Sequence, residues 1–152
     1  MPDIIDILLV VQRVLLVFRV LLNPVFPPFN RLEMRVIEEI EKQIKPEFKS
    51  VYQEHLSLIN FVQRDAGGRL ARMYTWRFPG YYSWARKQYI EIEAGTVKLA
   101  RFSLHFKCGD VIHGSLVSID GVICNMSFGE SLNLYKSAEL LQIKIKPSLI
   151  TS

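Results

Sequence analysis

The spacing of apolar residues changes from a helical to an extended period near Leu58, and this change limits the folds that the chain can adopt. Before Leu58, apolar residues recur every three or four positions, and after it they alternate with polar residues. Helices followed by a run of strands are typical of an α+β fold, in which helices cover one face of an antiparallel sheet. A chain of 152 residues with 49% hydrophobic composition is long enough to bury one such core.

Two amphipathic helices are predicted before the change of period. The first follows Asn30, which forms a capping-box pattern with Glu33. We expect its charged side to face solvent, with an ion pair between Glu38 and Lys42. Pro46 ends this helix, and a second helical segment follows. The predicted apolar stripe is Leu32, Val36, Ile37, Ile40 and Ile44, and the solvated side is Glu33, Arg35, Glu38, Glu39, Glu41 and Lys42.

About six strands are predicted after the helices, joined as successive hairpins. Asp120 and Gly121 form a strong two-residue turn signal, because both residues tolerate positive φ. Val97 and Leu99 interrupt the alternation of the longest strand, which predicts either a bulge or burial on both faces near its start. The predicted strands cover residues 58–64, 69–78, 88–93, 96–107, 111–119 and 122–128, with an aromatic loop at 79–84, a short helix at 137–141 and an edge strand at 142–146.

The predicted order of elements, helices first and then antiparallel hairpins, is similar to that of cystatin-like and nuclear transport factor-like domains. This similarity of layout implies N-terminal helices packed on a curved antiparallel sheet of about six strands. No functional residue follows from it. We therefore predict a single α+β domain at 30–152, preceded by an apolar helix at 1–23 and a Pro-rich linker at 24–29.

The predicted N-terminal helix is the most apolar segment of the chain, with fifteen apolar residues among the nineteen at 4–22. Three environments are open for it: the interior of this domain or of a dimer, a membrane span, or a membrane surface. Apolar residues at alternating spacings of four and three favour pairing with another helix, which predicts a homo-oligomer. These residues are Ile7, Val11, Val14, Phe18 and Leu21.

The residues that flank this predicted helix give information on the cellular location of the protein. Acidic residues precede the apolar run, and no small-residue cleavage site follows it. These features argue against a cleavable signal peptide. We therefore expect a cytoplasmic protein, with membrane association as the alternative.

Basic residues are concentrated at 64–89, where six of them accompany a single acid. Arginines interleaved with aromatic side chains suit contact with a protein, with acidic lipid or with single-stranded nucleic acid. A protein partner is favoured over nucleic acid, because no recognition helix and no RNA-binding signature is present. If the face of the 69–78 strand that carries Arg72 and Tyr74 is the core face, its aromatic residues pack instead of binding. The predicted binding residues are Arg69, Arg72, Arg77, Tyr81, Tyr82, Trp84, Arg86 and Lys87.

Groups that could support metal binding or catalysis are few. A metal site could be drawn from His105, Cys108, His113 and Cys124, but their spacing is not that of a zinc knuckle. We predict no metal, no cofactor and no catalytic residue.

The predicted function is a non-catalytic module that binds a protein partner through the exposed aromatic and basic loop at 77–89, as a small inhibitor or immunity-type protein would. The alternatives are a membrane-tethered accessory domain, a small enzyme with an enclosed cavity, and a single-stranded nucleic-acid binder.

Overall fold

A computed structural model describes residues 28–77, 81–82, 90, 95–135 and 137–151, together with Val14. In these parts of the chain, two helices are packed with a six-stranded antiparallel sheet, which confirms the predicted α+β class. The helices are α1 (Arg31–Gln43) and α2 (Pro46–Leu58). The strands are β1 (Phe61–Arg64), β2 (Leu70–Tyr74), β3 (Trp76–Arg77), β4 (Tyr81–Tyr82), β5 (Thr96–Phe106), β6 (Val111–Ile119), β7 (Val122–Phe128) and β8 (Leu140–Lys146).

The six-stranded sheet has the order β1-β2-β7-β6-β5-β8, and neighbouring strands are antiparallel throughout. Strands β5, β6 and β7 follow each other through tight turns. The turn between β6 and β7 uses Asp120 at φ 49° and Gly121 at φ 77°, as the sequence predicts. The remaining strands, β3 and β4, pair with each other in a separate two-stranded sheet.

Local signals in the sequence set the ends of both helices. The Asn30 side chain accepts a hydrogen bond from the Glu33 N–H at 2.9 Å, and the Glu33 carboxylate accepts one from the Asn30 N–H at 2.8 Å. This is the predicted capping box. Pro46 occupies the first position of α2, where its missing N–H costs no helical hydrogen bond. The predicted ion pair of Lys42 with Glu38 is wrong, because Lys42 instead contacts Glu39 at 2.6 Å.

The core lies between the helices and one face of the sheet. Tyr52 of α2 is fully buried there, and its hydroxyl donates a hydrogen bond to the Ile37 carbonyl of α1 at 3.1 Å. Burial raises the pKa of the Tyr52 phenol, because the charged phenolate would lose its hydration. Helix α1 buries Val36, Ile37 and Ile40, and strand β5 buries Leu99, Ala100, Phe102, Leu104 and Phe106.

Strand β5 alternates as predicted, and its pairing with β6 shifts register between Lys98 and Ala100. The predicted bulge is therefore confirmed, with Leu99 at the shift. Further along β5, Phe102 lies opposite Gly114 and stacks edge-on against Phe128. A Cβ atom on Gly114 would overlap the Phe102 ring and lie 2.7 Å from the Ser127 carbonyl oxygen, so this position requires glycine.

The structure corrects one prediction for a strand, one for a loop and one for a helix. The predicted strand at 69–78 ends at Tyr74, and the next residues form β3, which pairs with a strand inside the predicted loop at 79–84. The predicted helix at 137–141 does not form, because Leu140 already pairs with Phe106 of β5. A 3₁₀ helix forms earlier in the chain, at Leu132–Tyr135.

Some predictions fall mostly outside the described residues. Of the predicted strand at 88–93, the structure describes only Ile90, which is buried and donates its N–H to the Gly121 carbonyl at 3.1 Å. Of the predicted helix at 1–23, it describes only Val14, which is helical and 48% exposed. The proposed helix pairing and the domain limits therefore stay predictions. Among the described residues, no helix is long and apolar enough to cross a membrane.

Replacing the glycine that faces Phe102 tests the packing of the sheet. We expect Gly114→Ala to lower the free energy of unfolding by about 1–3 kcal/mol, because the added methyl group overpacks the core. Thermal or urea denaturation measures this loss. The matched control is Gly67→Ala, whose Cβ would have no contact closer than 3.8 Å and should change stability by less than about 0.5 kcal/mol. Equal stabilities of the two variants would contradict the packing argument.

The raised pKa of Tyr52 makes stability depend on alkaline pH. The unfolded chain releases this phenolic proton near pH 10, whereas the folded protein retains it to a higher pH. The free energy of unfolding should therefore fall above about pH 10, by about 1.4 kcal/mol per pH unit for this group. Urea denaturation between about pH 9 and 11.5 should show wild type losing stability relative to Tyr52→Phe. A constant difference between the two proteins would show that Tyr52 titrates normally.

Candidate functional site

The sheet face opposite the helices carries the basic residues of the strands. In β5, Phe102 and Leu104 face the helices, and Arg101, Ser103 and His105 alternate with them on this opposite face, where Arg101 is exposed and Ser103 is buried. Residues directly paired across antiparallel strands share a face, so the sheet register extends the assignment to the other strands. Among the described residues, five exposed basic side chains lie there, and we call this surface the cationic face: Arg72, Lys98, Arg101, Lys144 and Lys146.

One row of the cationic face crosses β8, β5, β6 and β7. Lys146 lies directly opposite Arg101, which in turn lies opposite Ser115. Ser115 lies opposite Ser127, and their hydroxyl oxygens are hydrogen-bonded at 2.8 Å. Like charges placed directly opposite each other destabilise a sheet. The Arg101 and Lys146 pair therefore favours an anion bound between or above the two side chains.

A second row crosses β5, β6, β7 and β2, with a cation at each end. Lys98 lies opposite Val117, and Val117 lies opposite Asn125. Asn125 lies opposite Arg72. The two rows are neighbours on the same face, and Lys144 lies opposite Ser103 in the row on the other side of Arg101. The five cations therefore form one surface that extends over five strands.

Among the described residues, the strands that form this surface contribute no acidic side chain to neutralise it. The six strands of the described sheet contain no aspartate and no glutamate, whereas α1 and α2 together contain six glutamates. None of the five cations forms an ion pair with a described residue. An uncompensated patch of one sign attracts partners of the opposite charge and raises their rate of association.

Arg64 of β1 differs from these cations because it faces the helices. Its Nε donates to Glu33 Oε1 at 2.8 Å, and its Nη2 lies 2.5 Å from Glu33 Oε2. The same Nη2 donates to the Pro28 carbonyl at 2.9 Å. The expectation that Glu33 faces solvent is wrong, because Glu33 is only 1% exposed. A buried carboxylate needs such a partner, and α1 and β1 supply the two members of the pair.

The structure answers which face of the 69–78 segment is the core face. Ala71 and Met73 are buried, so the face that carries Arg72 and Tyr74 is not the core face. Arg72 is exposed on the cationic face, and Tyr74 is half-buried beside Phe61 with ring centroids 6.0 Å apart. Arg72 is therefore free to contact a partner.

The other predicted binding residues are only partly described. Arg69 is exposed in the turn between β1 and β2, and Arg77 pairs with Tyr81 along the backbones of β3 and β4. Tyr82 pairs with Trp76 in the same way. The remaining predicted residues, Trp84, Arg86 and Lys87, lie outside the described residues.

Four of the five cations were not among the predicted binding residues, namely Lys98, Arg101, Lys144 and Lys146. The sequence does contain a pattern that indicates a face without acids. At 96–128 the only acids are Asp110 and Asp120, and both lie in turns. No local sequence pattern indicates that β8 pairs with β5. These strands are separated along the chain by β6 and β7, so the sequence did not show that Lys146 lies beside Arg101.

The residues considered for a metal site lie in different environments. His105 and His113 lie on the cationic face, where His105 Nε2 is 3.1 Å from Ser103 Oγ. Cys108 is exposed in the turn after β5, and buried Cys124 donates from its Sγ to the Val117 carbonyl at 3.5 Å. Within the described ranges, no group of three or more His, Cys, Asp or Glu side chains could hold a metal ion.

The chain has no significant match to a model of a known protein family, to a curated protein sequence or to a solved structure.

The buried ion pair between α1 and β1 predicts an asymmetric response to mutation. Arg64→Met leaves the Glu33 carboxylate buried without its cation, and we expect a loss of about 3–5 kcal/mol in the free energy of unfolding. Glu33→Gln should cost less, because the Arg64 side chain is 28% exposed and keeps contact with water. The double variant Glu33→Gln/Arg64→Met should be more stable than Arg64→Met alone. Urea denaturation of the three variants measures this order, and the reverse order would contradict it.

Proposed function

We propose that the protein is a non-catalytic binding module that engages an acidic protein partner through the cationic face. The observation that supports this proposal is the set of five exposed cations, none paired with a described residue, on a sheet whose six described strands contain no acid. Carboxylates of a partner would relieve the repulsion between Arg101 and Lys146. Arginine is well suited to this contact, because its planar guanidinium binds a carboxylate through two hydrogen bonds.

Apolar residues on the same face favour a protein partner over nucleic acid. Val111 and Ile119 are 39% and 44% exposed, and they lie at opposite ends of β6 on the side that carries His113. Protein interfaces combine apolar contacts with ion pairs. A phosphate backbone uses cations and gains little from exposed aliphatic side chains.

A second copy of the chain is a poor occupant of this face. In a two-fold dimer the same patch meets itself, so each copy would bring its own unpaired cations against those of the other. Any homo-oligomer would therefore use another surface, and the proposed seam of the N-terminal helix, which includes Val14, is the candidate for it.

The aromatic and basic segment at 77–89 extends the proposed surface. Only Thr75 separates β2, which carries Arg72, from β3. The segment therefore starts close to the edge of the cationic face. In this proposal Trp84, Arg86 and Lys87 add contacts to a partner already held by the sheet, as in a small inhibitor or immunity-type protein.

A charge-reversal variant tests the cationic face. The probe is a synthetic peptide of about sixteen residues in which glutamate alternates with leucine and serine, and its Kd is measured by fluorescence anisotropy. We expect Arg101→Glu/Lys146→Glu to weaken peptide binding at least tenfold, which corresponds to about 1.4 kcal/mol. The matched control is Lys42→Glu/Lys49→Glu, which reverses the same charge on the helices and should stay within about twofold of wild type.

Two further probes separate the alternatives. An oligothymidylate and vesicles of phosphatidylcholine with phosphatidylserine are tested under the same salt conditions. Tighter binding of the oligonucleotide or of the vesicles than of the peptide would overturn the choice of a protein partner. Equal peptide binding by wild type and Arg101→Glu/Lys146→Glu would overturn the choice of surface.

A further inference from the structure

An open cavity of about 670 Å³ lies at the start of α1, beside the turn between β1 and β2. This volume is in the range of small-molecule binding sites. Much of its lining is apolar, and none of the five cations of the cationic face takes part in it. The apolar lining includes Leu70, Ala71, Phe106, Leu132, Ala138 and Leu140.

The wall of the cavity that contains the 3₁₀ helix is hydrogen-bonded to the turn between β1 and β2 at two places. Ser131 Oγ donates a hydrogen bond to the Gly67 carbonyl, and Asn133 Nδ2 donates to the Ala66 carbonyl at 2.8 Å. At the other end of this wall, the ring of Tyr135 stacks on Phe106 with centroids 4.8 Å apart. These contacts hold the segment away from α1, so the space is formed before any ligand binds.

Two of the arginines that line the cavity have no ion-pair partner among the described residues. Two carboxylates line it, but Glu33 is bound by Arg64, and Glu139 is bound by Lys107 at 2.6 Å. Arg31 and Arg35 line it as well, and neither forms an ion pair with any described residue.

These two arginines are four positions apart in α1, so their side chains are neighbours on the helix surface. Like charges at this spacing destabilise a helix, and an anion held between them removes the repulsion.

Arg64 adds a third guanidinium in a fixed position. Its Nε and Nη2 are held by Glu33 and the Pro28 carbonyl, whereas its Nη1 donates to no described residue. The Arg64 side chain is 28% exposed and lines the cavity. A donor that is already oriented loses little conformational freedom when a ligand binds.

We propose that this cavity binds a small amphipathic monocarboxylate, with its carboxylate between Arg31 and Arg35 and its apolar tail against Phe106, Leu132 and Leu140. The cationic residues at the cavity select a negative head group. The apolar lining selects a tail that gains from leaving water. A neutral ligand of the same length would bury the same tail without the charge-assisted hydrogen bonds.

Decanoate is the test ligand, and decanol is its neutral counterpart. Binding to the full-length protein is followed by isothermal titration calorimetry and by ¹H–¹⁵N NMR shifts. We expect saturable binding of decanoate, at least tenfold tighter than that of decanol, with the largest shifts at the amides of Gly68, Ala71, Ala138 and Leu140. Arg31→Gln/Arg35→Gln should bind decanoate no more tightly than wild type binds decanol.

Matched variants show whether the effect belongs to the cavity. Arg69→Gln/Arg72→Gln removes two exposed arginines outside the lining and should leave the Kd for decanoate within about twofold, as should Arg101→Glu/Lys146→Glu. Ala138→Phe fills the space and should abolish binding with the arginines intact. Equal affinity for decanoate and decanol, shifts located elsewhere, or full binding by Arg31→Gln/Arg35→Gln would each overturn the proposal. None of these outcomes bears on the proposed protein partner, which is tested with the peptide.

Discussion

The pairing of β5 on both of its sides is the interaction on which the rest of the structure depends. Strand β5 is eleven residues long and is hydrogen-bonded to β6 along one edge and to β8 along the other. Because side chains alternate along a strand, the same pairing places Phe102 and Leu104 under the helices and Arg101 on the opposite face. The core and the cationic face are therefore two consequences of one register, and a shift by a single residue would exchange them.

Those parts of the fold that depend on neighbouring residues could be predicted from the sequence. The capping box at Asn30, the turn at Asp120 and the bulge at Leu99 each depend on a few adjacent positions, and the structure confirms all three. The burial of Glu33 could not be predicted in this way, because it depends on Arg64, which lies on a strand after the second helix. The position of β8 beside β5 also depends on tertiary contacts, and these override the helical pattern at 137–141.

Charge is distributed differently between the two layers of the described fold. Helices α1 and α2 hold six glutamates, whereas the sheet holds cations and no acid. Arg64 is a strand cation that faces the helices, and its charge is neutralised inside the protein by an ion pair with Glu33. The exposed cations on the other face form no ion pair with a described residue, so among these residues their repulsion is reduced by solvent and salt instead of by a carboxylate. This difference between the two faces is the basis of the proposed acidic partner.

The two proposed sites share the strands β2, β5 and β8, although they use different cations. Leu140 at the start of β8 lines the cavity, and Lys144 and Lys146 further along the same strand belong to the cationic face. Strand β8 is an edge of the sheet, paired only with β5. An edge strand gains more from added contacts than a central strand, because fewer hydrogen bonds already hold it in place. Occupancy of either site would therefore stabilise the same strand, and the arginines at the cavity and the cations on the face could be changed independently of each other.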